Sequence, residues 1–152
     1  MHIGRLGRSE LVAAIGGILL AIGIFTPWYA TAADNRNAMI NGGRGSFSAW
    51  DVHPTLRWVL LAAALAPFIL AWIVVRGHQL SWPRGEMTAV VGVAAAGLVL
   101  YVGGLARPGE PKAQIGLELG WFLSVAATLL IMAGGAIRAS GTERPRKPPG
   151  VL

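Results

Sequence analysis

The chain has 152 residues, enough for one domain, and it is 54% apolar but only 13% charged. Soluble domains carry roughly 25% charged residues, so this composition excludes a disordered chain and predicts a membrane protein. The absence of cysteine excludes disulfide bonds and cysteine-ligated metal sites. The formal charge of +6 lies beside long uncharged stretches, which argues against nucleic-acid binding.

Four uncharged apolar runs predict transmembrane helices, and the expected fold is an all-α four-helix bundle without β-strands. Each run has about 18–20 residues, the length that crosses roughly 30 Å of hydrocarbon. The predicted spans are residues 11–30, 58–75, 87–105 and 119–137. Residues 1–10 then form an N-terminal tail. Residues 138–152 form a basic, proline-rich C-terminal tail that is expected to be disordered, because its prolines prevent a helix.

The distribution of lysine and arginine predicts the direction of the spans, because cytoplasmic flanks carry an excess of both. Eight of them lie in the two tails and the loop between spans two and three, and five lie in the other two loops. This bias predicts a multi-pass protein of a bacterial cytoplasmic membrane with both termini in the cytoplasm. Three tail residues are expected to bind anionic lipid headgroups or a partner at the inner face: Arg144, Arg146 and Lys147.

Tryptophan and tyrosine prefer the level of the lipid headgroups, and nearly all of them fall at a predicted boundary. The predicted interfacial anchors are Trp28, Tyr29, Trp50, Trp58 and Trp121. A cleaved signal peptide is the alternative for the first span, since a basic segment and an apolar run precede the small residues Ala30-Thr31-Ala32. Cleavage there would leave three spans, whereas an aromatic anchor at the end of span one favours a retained helix.

Small residues recur at helical spacing within the spans and predict where the helices touch. Lipid tails are as apolar as leucine, so close backbone approach, not burial from water, joins membrane helices. The predicted packing residues are Ala13, Gly17, Ala21, Gly92, Ala96, Gly120, Ser124 and Thr128. A substrate path lined by these small residues is the alternative. Pro67 in span two removes a backbone hydrogen bond and predicts a kink, either a static bend or a transporter hinge.

The first outer loop, residues 31–53, ends in a local helix signal. Ser48-Ala49-Trp50-Asp51 fits a capping box, in which the serine side chain caps the helix and the aspartate reaches back to the serine backbone. We therefore predict a short interfacial helix near residues 49–53.

Several motifs resemble those of a family of small four-span membrane proteins of actinobacteria and related bacteria. Thr26-Pro27-Trp28-Tyr29 is similar to its LPWY motif, and Ser48-Ala49-Trp50-Asp51 is similar to its SAW motif. Arg107-Pro108-Gly109 resembles its PPG stretch, and Gly116–Leu123 with Gly134-Gly135 resembles its closing span. The resemblance covers about residues 5–139 and implies the four-span topology without any activity or catalytic residue. At the level of the fold alone, the layout is also similar to that of claudin-like proteins.

No constellation of residues favours catalysis, a metal or a cofactor. His2, His53 and His78 lie in different flanks, so they are expected to be separate surface residues. Asp51, Arg57 and Glu118 lie at the outer ends of spans two and four, where they could form a polar cluster that binds a ligand or partner. The predicted span interiors contain no ionisable group, so enzymatic activity is not expected.

The leading functional hypothesis is a structural or accessory membrane protein that assembles with itself or with a partner. A small transporter or channel subunit, with Pro67 as its hinge, is the alternative. A transporter needs a polar cavity at mid-membrane depth, and only Ser124 and Thr128 could line one.

Overall fold

The computed structural model describes residues 7–76 and 84–140, and these residues are mostly helical. In chain order the helices are α1 (Arg8–Phe25), the short α2 (Ala49–Val52), α3 (Leu56–Arg76), α4 (Arg84–Leu98) and α5 (Leu119–Ala139). A π-helical segment, Val99–Leu105, continues α4. Four of these helices are long and apolar enough to cross a membrane, α4 together with its π-helical segment, and this confirms the predicted all-α four-span bundle.

The four long helices form a bundle in which neighbours run in opposite directions. α1 packs against α3 and α5, α5 packs against α1 and α4, and contacts between α3 and α4 close the bundle. Glycine makes these contacts close, since a Cβ added to Gly17 would lie 2.5 Å from the carbonyl oxygen of Ala64 in α3. One added to Gly92 would lie 2.4 Å from the backbone nitrogen of Met132 in α5.

A small antiparallel sheet covers one end of the bundle, so the prediction that the chain has no strands is wrong. The strands are β1 (Pro27–Thr31), β2 (Ser46–Ser48) and β3 (Ile115–Leu117), with β1 in the middle. Tyr29 of β1 lies opposite Phe47 on one side and Leu117 on the other. The sheet therefore ties the first and third loops together. We call this end of the bundle the sheet end, and the end that contains residues 7–10 and 138–140 the tail end.

The first span is shifted toward the N-terminus relative to its predicted bounds, residues 11–30. It begins earlier because the Glu10 carboxylate accepts the backbone N–H of Gly7 at 2.9 Å and completes the first turn. It ends at Phe25 because the next residue precedes Pro27, and proline disfavours helical backbone in the residue before it. Thr26 accordingly has extended backbone angles, φ −82° and ψ 146°. Residues 27–30, predicted to be helical, lie in β1 instead.

The predicted short helix is confirmed as α2, which ends at Val52, one residue before its predicted end. The backbone N–H of Ser48 donates to the Asp51 carboxylate at 3.0 Å, and the Ser48 hydroxyl accepts from the Asp51 N–H at 3.3 Å. The capping box therefore forms as the sequence indicates. Pro67 lies inside α3 with its side chain buried in the bundle, and the helix continues through it.

Candidate functional site

A polar centre lies under the sheet, where β1 meets the start of α3 and the π-helical segment. The Tyr29 hydroxyl lies 2.8 Å from Nε2 of His53 and 3.0 Å from the carbonyl oxygen of Gly103. Because a carbonyl oxygen can only accept, the tyrosine proton points to Gly103 and His53 donates through Nε2. This assigns the Nε2–H tautomer to His53. One hydroxyl of β1 thus connects the end of the first loop with the end of span three.

Burial sets the protonation of both groups in this centre. It raises the pKa of the Tyr29 phenol above its usual range, with a smaller opposing effect from the positive charge of Arg107. Burial also lowers the pKa of the His53 imidazole below its ordinary value. Both groups are therefore neutral at pH 7, and the centre acts as a hydrogen-bonded joint.

Three sequence-based assignments at the sheet end are wrong. Trp28 and Tyr29 are fully buried and pack inside the protein, so they cannot be interfacial anchors that face the headgroups. The Trp28 indole N–H instead donates to the carbonyl oxygen of Gly23 at 2.8 Å. His53 is half-buried, with its ring centroid 5.7 Å from that of Tyr29, and is not a plain surface histidine. The three errors have one cause, which is that β1 was not predicted. This strand places Trp28 and Tyr29 over the end of the bundle, and His53 packs against Tyr29.

The other three predicted anchors lie nearer the surface. Trp50 and Trp121 are half-buried and Trp58 is exposed. The Trp121 indole N–H donates to the carbonyl oxygen of Val99 at 3.0 Å and so joins α5 to the π-helical segment. Trp50 and Trp58 pack edge to face, with their ring centroids 5.1 Å apart.

Asp51, Arg57 and Glu118, the predicted outer polar cluster, do not come together. The Asp51 carboxylate accepts the Ser48 hydroxyl at 2.7 Å, while the Arg57 guanidinium lies on the rings of Trp50 and Trp58. Within the described ranges, no ion pair joins any two of the three. Glu118 precedes α5, and its side chain does not cap that helix. The three residues therefore do not form one ligand site.

Most of the predicted packing residues lie inside the bundle. Six are buried, and these are Ala13, Gly17, Gly92, Gly120, Ser124 and Thr128. Ala21 and Ala96 are half-buried, and the buried alanine of α4 is Ala95. The Ser124 hydroxyl donates to the carbonyl oxygen of Gly120 at 2.8 Å. The Thr128 hydroxyl donates to the carbonyl oxygen of Val125, three residues earlier in the same helix, at 2.8 Å.

A second polar centre, which the sequence analysis missed, lies at the tail end. The Glu10 carboxylate of α1 pairs with the Arg138 guanidinium of α5, and it also accepts the Ser9 hydroxyl at 3.0 Å. The Glu10 side chain is only 10% exposed. The predicted bounds place both charged residues in the tails, but they belong to the first turn of the first span and the last turn of the last. In a bundle with an even number of spans, the start of the first helix and the end of the last helix lie at the same end of the bundle. This topology is the signal that could have predicted the ion pair.

A pocket adjoins this ion pair between all four long helices. Its lining includes Glu10, Pro67, Thr88, Gly135 and Arg138. Neither Ser124 nor Thr128 lines this pocket. The pocket therefore does not include the two hydroxyls that were predicted as the possible lining of a polar cavity at mid-membrane depth.

Metal chemistry finds no support among the described residues, where no three His, Asp or Glu side chains group closely enough to hold an ion. The predicted lipid-binding residues Arg144, Arg146 and Lys147 lie outside the described residues, as do His2 and His78. Comparisons of the chain with protein-family models, curated proteins and solved structures found no match. The resemblance to the actinobacterial four-span family therefore stays a prediction.

Proposed function

We propose that this multi-pass membrane protein has a structural or accessory role, in which it assembles with itself or with another membrane protein and catalyses no reaction. The observation that carries the proposal is the burial and hydrogen bonding of the Ser124 and Thr128 hydroxyls. Both are fully buried, and both donate to carbonyl oxygens of their own helix. Hydroxyls satisfied in this way do not line a hydrated path, so these two residues give a single copy no polar route at mid-membrane depth.

The sheet end supports an assembly role because it presents a folded surface outside the spans. The sheet joins two loops, and the Met39 side chain is exposed beside the bridge between its own backbone and that of Glu110. We place this surface outside the cell, in keeping with the charge bias of the flanks.

We expect α1 to remain in the mature protein as a transmembrane span and not to be cleaved as a signal peptide. Ala30-Thr31-Ala32, the alternative cleavage site, begins in the central strand, where Ala30 lies opposite both Ser46 and Gly116, and the Ala32 N–H donates to the carbonyl oxygen of Gln114 at 3.0 Å. Signal peptidase needs an accessible chain at this point. We expect the intact mass of the purified protein to include residues 1–32, and a mass that begins at Ala33 would contradict retention.

Self-assembly can be tested by photo-crosslinking in the membrane. A benzophenone amino acid at Met39 samples the sheet end, and the same probe at Ile18, which is 51% exposed, samples the middle of α1. We expect two differently tagged copies, co-expressed, to crosslink and co-purify through the Met39 probe. Monomers at both probe positions, with no stoichiometric partner protein, would overturn the proposal.

A small transporter or channel subunit is the second candidate, favoured by the pocket beside Glu10, Arg138 and Pro67. Flux assays on proteoliposomes separate the two candidates. A substrate or ion flux that is abolished by Pro67→Ala or Glu10→Gln would favour transport, whereas unchanged leak relative to empty liposomes would favour the accessory role.

A further inference from the structure

Arg57, at the sheet end, has no acidic partner among the residues that the structure describes. The Arg57 guanidinium carbon is 4.9 Å from the centroid of the Trp50 ring and 5.6 Å from that of Trp58. Its Nη1 donates to the carbonyl oxygen of Trp50 at 3.1 Å. In the described part of the chain, no carboxylate lies within ion-pair distance, and the buried Nε has no acceptor. The cation is held in place, but its charge is not neutralised by this part of the protein.

The surface around Arg57 is aromatic and becomes aliphatic toward the middle of the bundle. Trp58 is 55% exposed and Phe25 is 56% exposed. The ring centroid of Phe25 lies 4.8 Å from that of Trp50. About one helical turn before Phe25, and so nearer the middle of the bundle, Ile22 is 51% exposed. The patch thus offers a cation above an apolar track, which is the order of groups that complements a phospholipid.

The position of Arg57 along α3 matches a boundary of the hydrocarbon layer. Arg76, at the other end of α3, stacks in the same way on Trp72, with its guanidinium carbon 4.5 Å from the ring centroid. The step of nineteen positions from Arg57 to Arg76 corresponds to about 29 Å of helix. A bilayer has a hydrocarbon core of roughly 30 Å, so this spacing fits one arginine at the headgroup depth of each leaflet.

We propose that Arg57, stacked on Trp50 and Trp58, binds the phosphate of a phospholipid headgroup in the leaflet at the sheet end. A guanidinium donates paired hydrogen bonds to phosphate oxygens, and cation–π contacts with the two indole rings hold it at the depth of that phosphate. The acyl chains of the lipid run along Phe25 and Ile22. A soluble acidic protein offers the anion but no apolar chain at this depth, so the exposed track favours a lipid over such a partner.

Native mass spectrometry of the full chain, released from micelles with added lipid, tests this site. The probes are phosphatidylglycerol, phosphatidylcholine and a diacylglycerol whose sugar headgroup lacks phosphate, with inorganic phosphate as a soluble competitor. Arg57→Gln is compared with Arg36→Gln, which removes an exposed arginine of the first outer loop. We expect Arg57→Gln to weaken phosphatidylglycerol binding about tenfold and Arg36→Gln to change it less than twofold.

A second variant guards against a folding defect in Arg57→Gln. Trp58→Leu keeps the charge and removes one of the two indole rings, so it should weaken phosphatidylglycerol binding by several fold while far-ultraviolet circular dichroism stays native-like. Equal binding by wild type and Arg57→Gln, or equal binding of the phosphate-free lipid, would overturn the proposal. Full displacement of lipid by millimolar inorganic phosphate would assign the site to a free anion. Loss of a co-purifying protein in Arg57→Gln with unchanged lipid binding would assign it to a protein partner.

Discussion

At Tyr29 a single hydroxyl joins parts of the chain that are 74 residues apart. It donates to Gly103 and accepts from His53, and both partners lie beneath the sheet. Removing this hydroxyl leaves a buried carbonyl oxygen and an imidazole N–H without partners, which typically costs about 1–3 kcal/mol. The joint therefore fixes how β1 rests on α3 and on the π-helical segment.

The low pKa of His53 predicts that stability falls in acid. The unfolded state, with a histidine pKa of about 6.5, binds a proton that the folded state resists. The stabilising effect is complete above that pH and is lost as the pH falls below it. We expect the Tm of the wild type in detergent to fall more between pH 7.5 and 5.5 than that of His53→Gln, whose amide can still donate to Tyr29. Equal falls in both proteins would contradict this role.

Gly120 and Gly97 form a matched pair for testing the close helix contacts. A Cβ on Gly120 would lie 2.3 Å from the carbonyl oxygen of Thr26, whereas one on Gly97 would meet nothing within 4 Å. We expect Gly120→Ala to destabilise the protein by about 1–3 kcal/mol and Gly97→Ala to be neutral or stabilising by up to about 1 kcal/mol. Unfolding in mixed micelles of increasing SDS fraction measures both. The packing model fails if the two substitutions have the same effect.

At the scale of elements, α1 holds the bundle together from both ends. Its last residue leads within two residues into the central strand, and its first turn carries the carboxylate that binds α5. The helix lies between α3 and α5. Loss of α1 would remove one partner from the sheet, from the ion pair and from both neighbouring helices at once.

The Glu10–Arg138 pair should be a measurable link between α1 and α5. Because Glu10 is nearly buried, removing its charge leaves Arg138 without its partner. We expect Glu10→Gln and Arg138→Gln each to destabilise the protein by about 1.5–3 kcal/mol, less than additively in the double variant. Arg8→Gln, an exposed arginine of the same turn, serves as the control and should change stability by less than about 0.5 kcal/mol. Strict additivity of the two main substitutions would show that the charges act independently.

Local signals predicted some elements, and contacts between distant residues determined the others. Span hydropathy and the Ser48–Asp51 capping box each lie within one stretch of chain, so they could be found from the sequence. β1 could not, because its strand is short and apolar and its partner β3 begins more than 80 residues later. Residues 27–30 therefore resemble the end of a span. The Glu10–Arg138 pair depends on which helix ends are adjacent, and this is a property of the folded bundle.

At the scale of the whole molecule, the two ends of the bundle differ in kind. The sheet end is closed by aromatic rings and a neutral hydrogen-bonded joint, whereas the tail end contains a paired charge and a pocket. The two ends of the bundle therefore present different groups to their surroundings. Each end also has an exposed residue at which the topology can be tested.

A pair of single-cysteine variants tests the proposed orientation, because the chain has no cysteine of its own. Ala33 is exposed at the sheet end and Ser140 at the tail end. We expect a membrane-impermeant maleimide to label Ala33→Cys in intact cells and Ser140→Cys only after lysis. The reverse pattern would invert the assigned topology, and equal labelling of both variants would indicate mixed insertion.

The central position of β1 constrains the order in which the protein can be made. β1 and β2 leave the ribosome early, so these strands can pair before the later spans are made. The other edge of β1 has no partner until residues 115–117 follow, just before the last helix is synthesised. Until then its backbone N–H and C=O groups are open to other strands. Biogenesis thus has a late step in which insertion of the fourth span and closure of the sheet occur together.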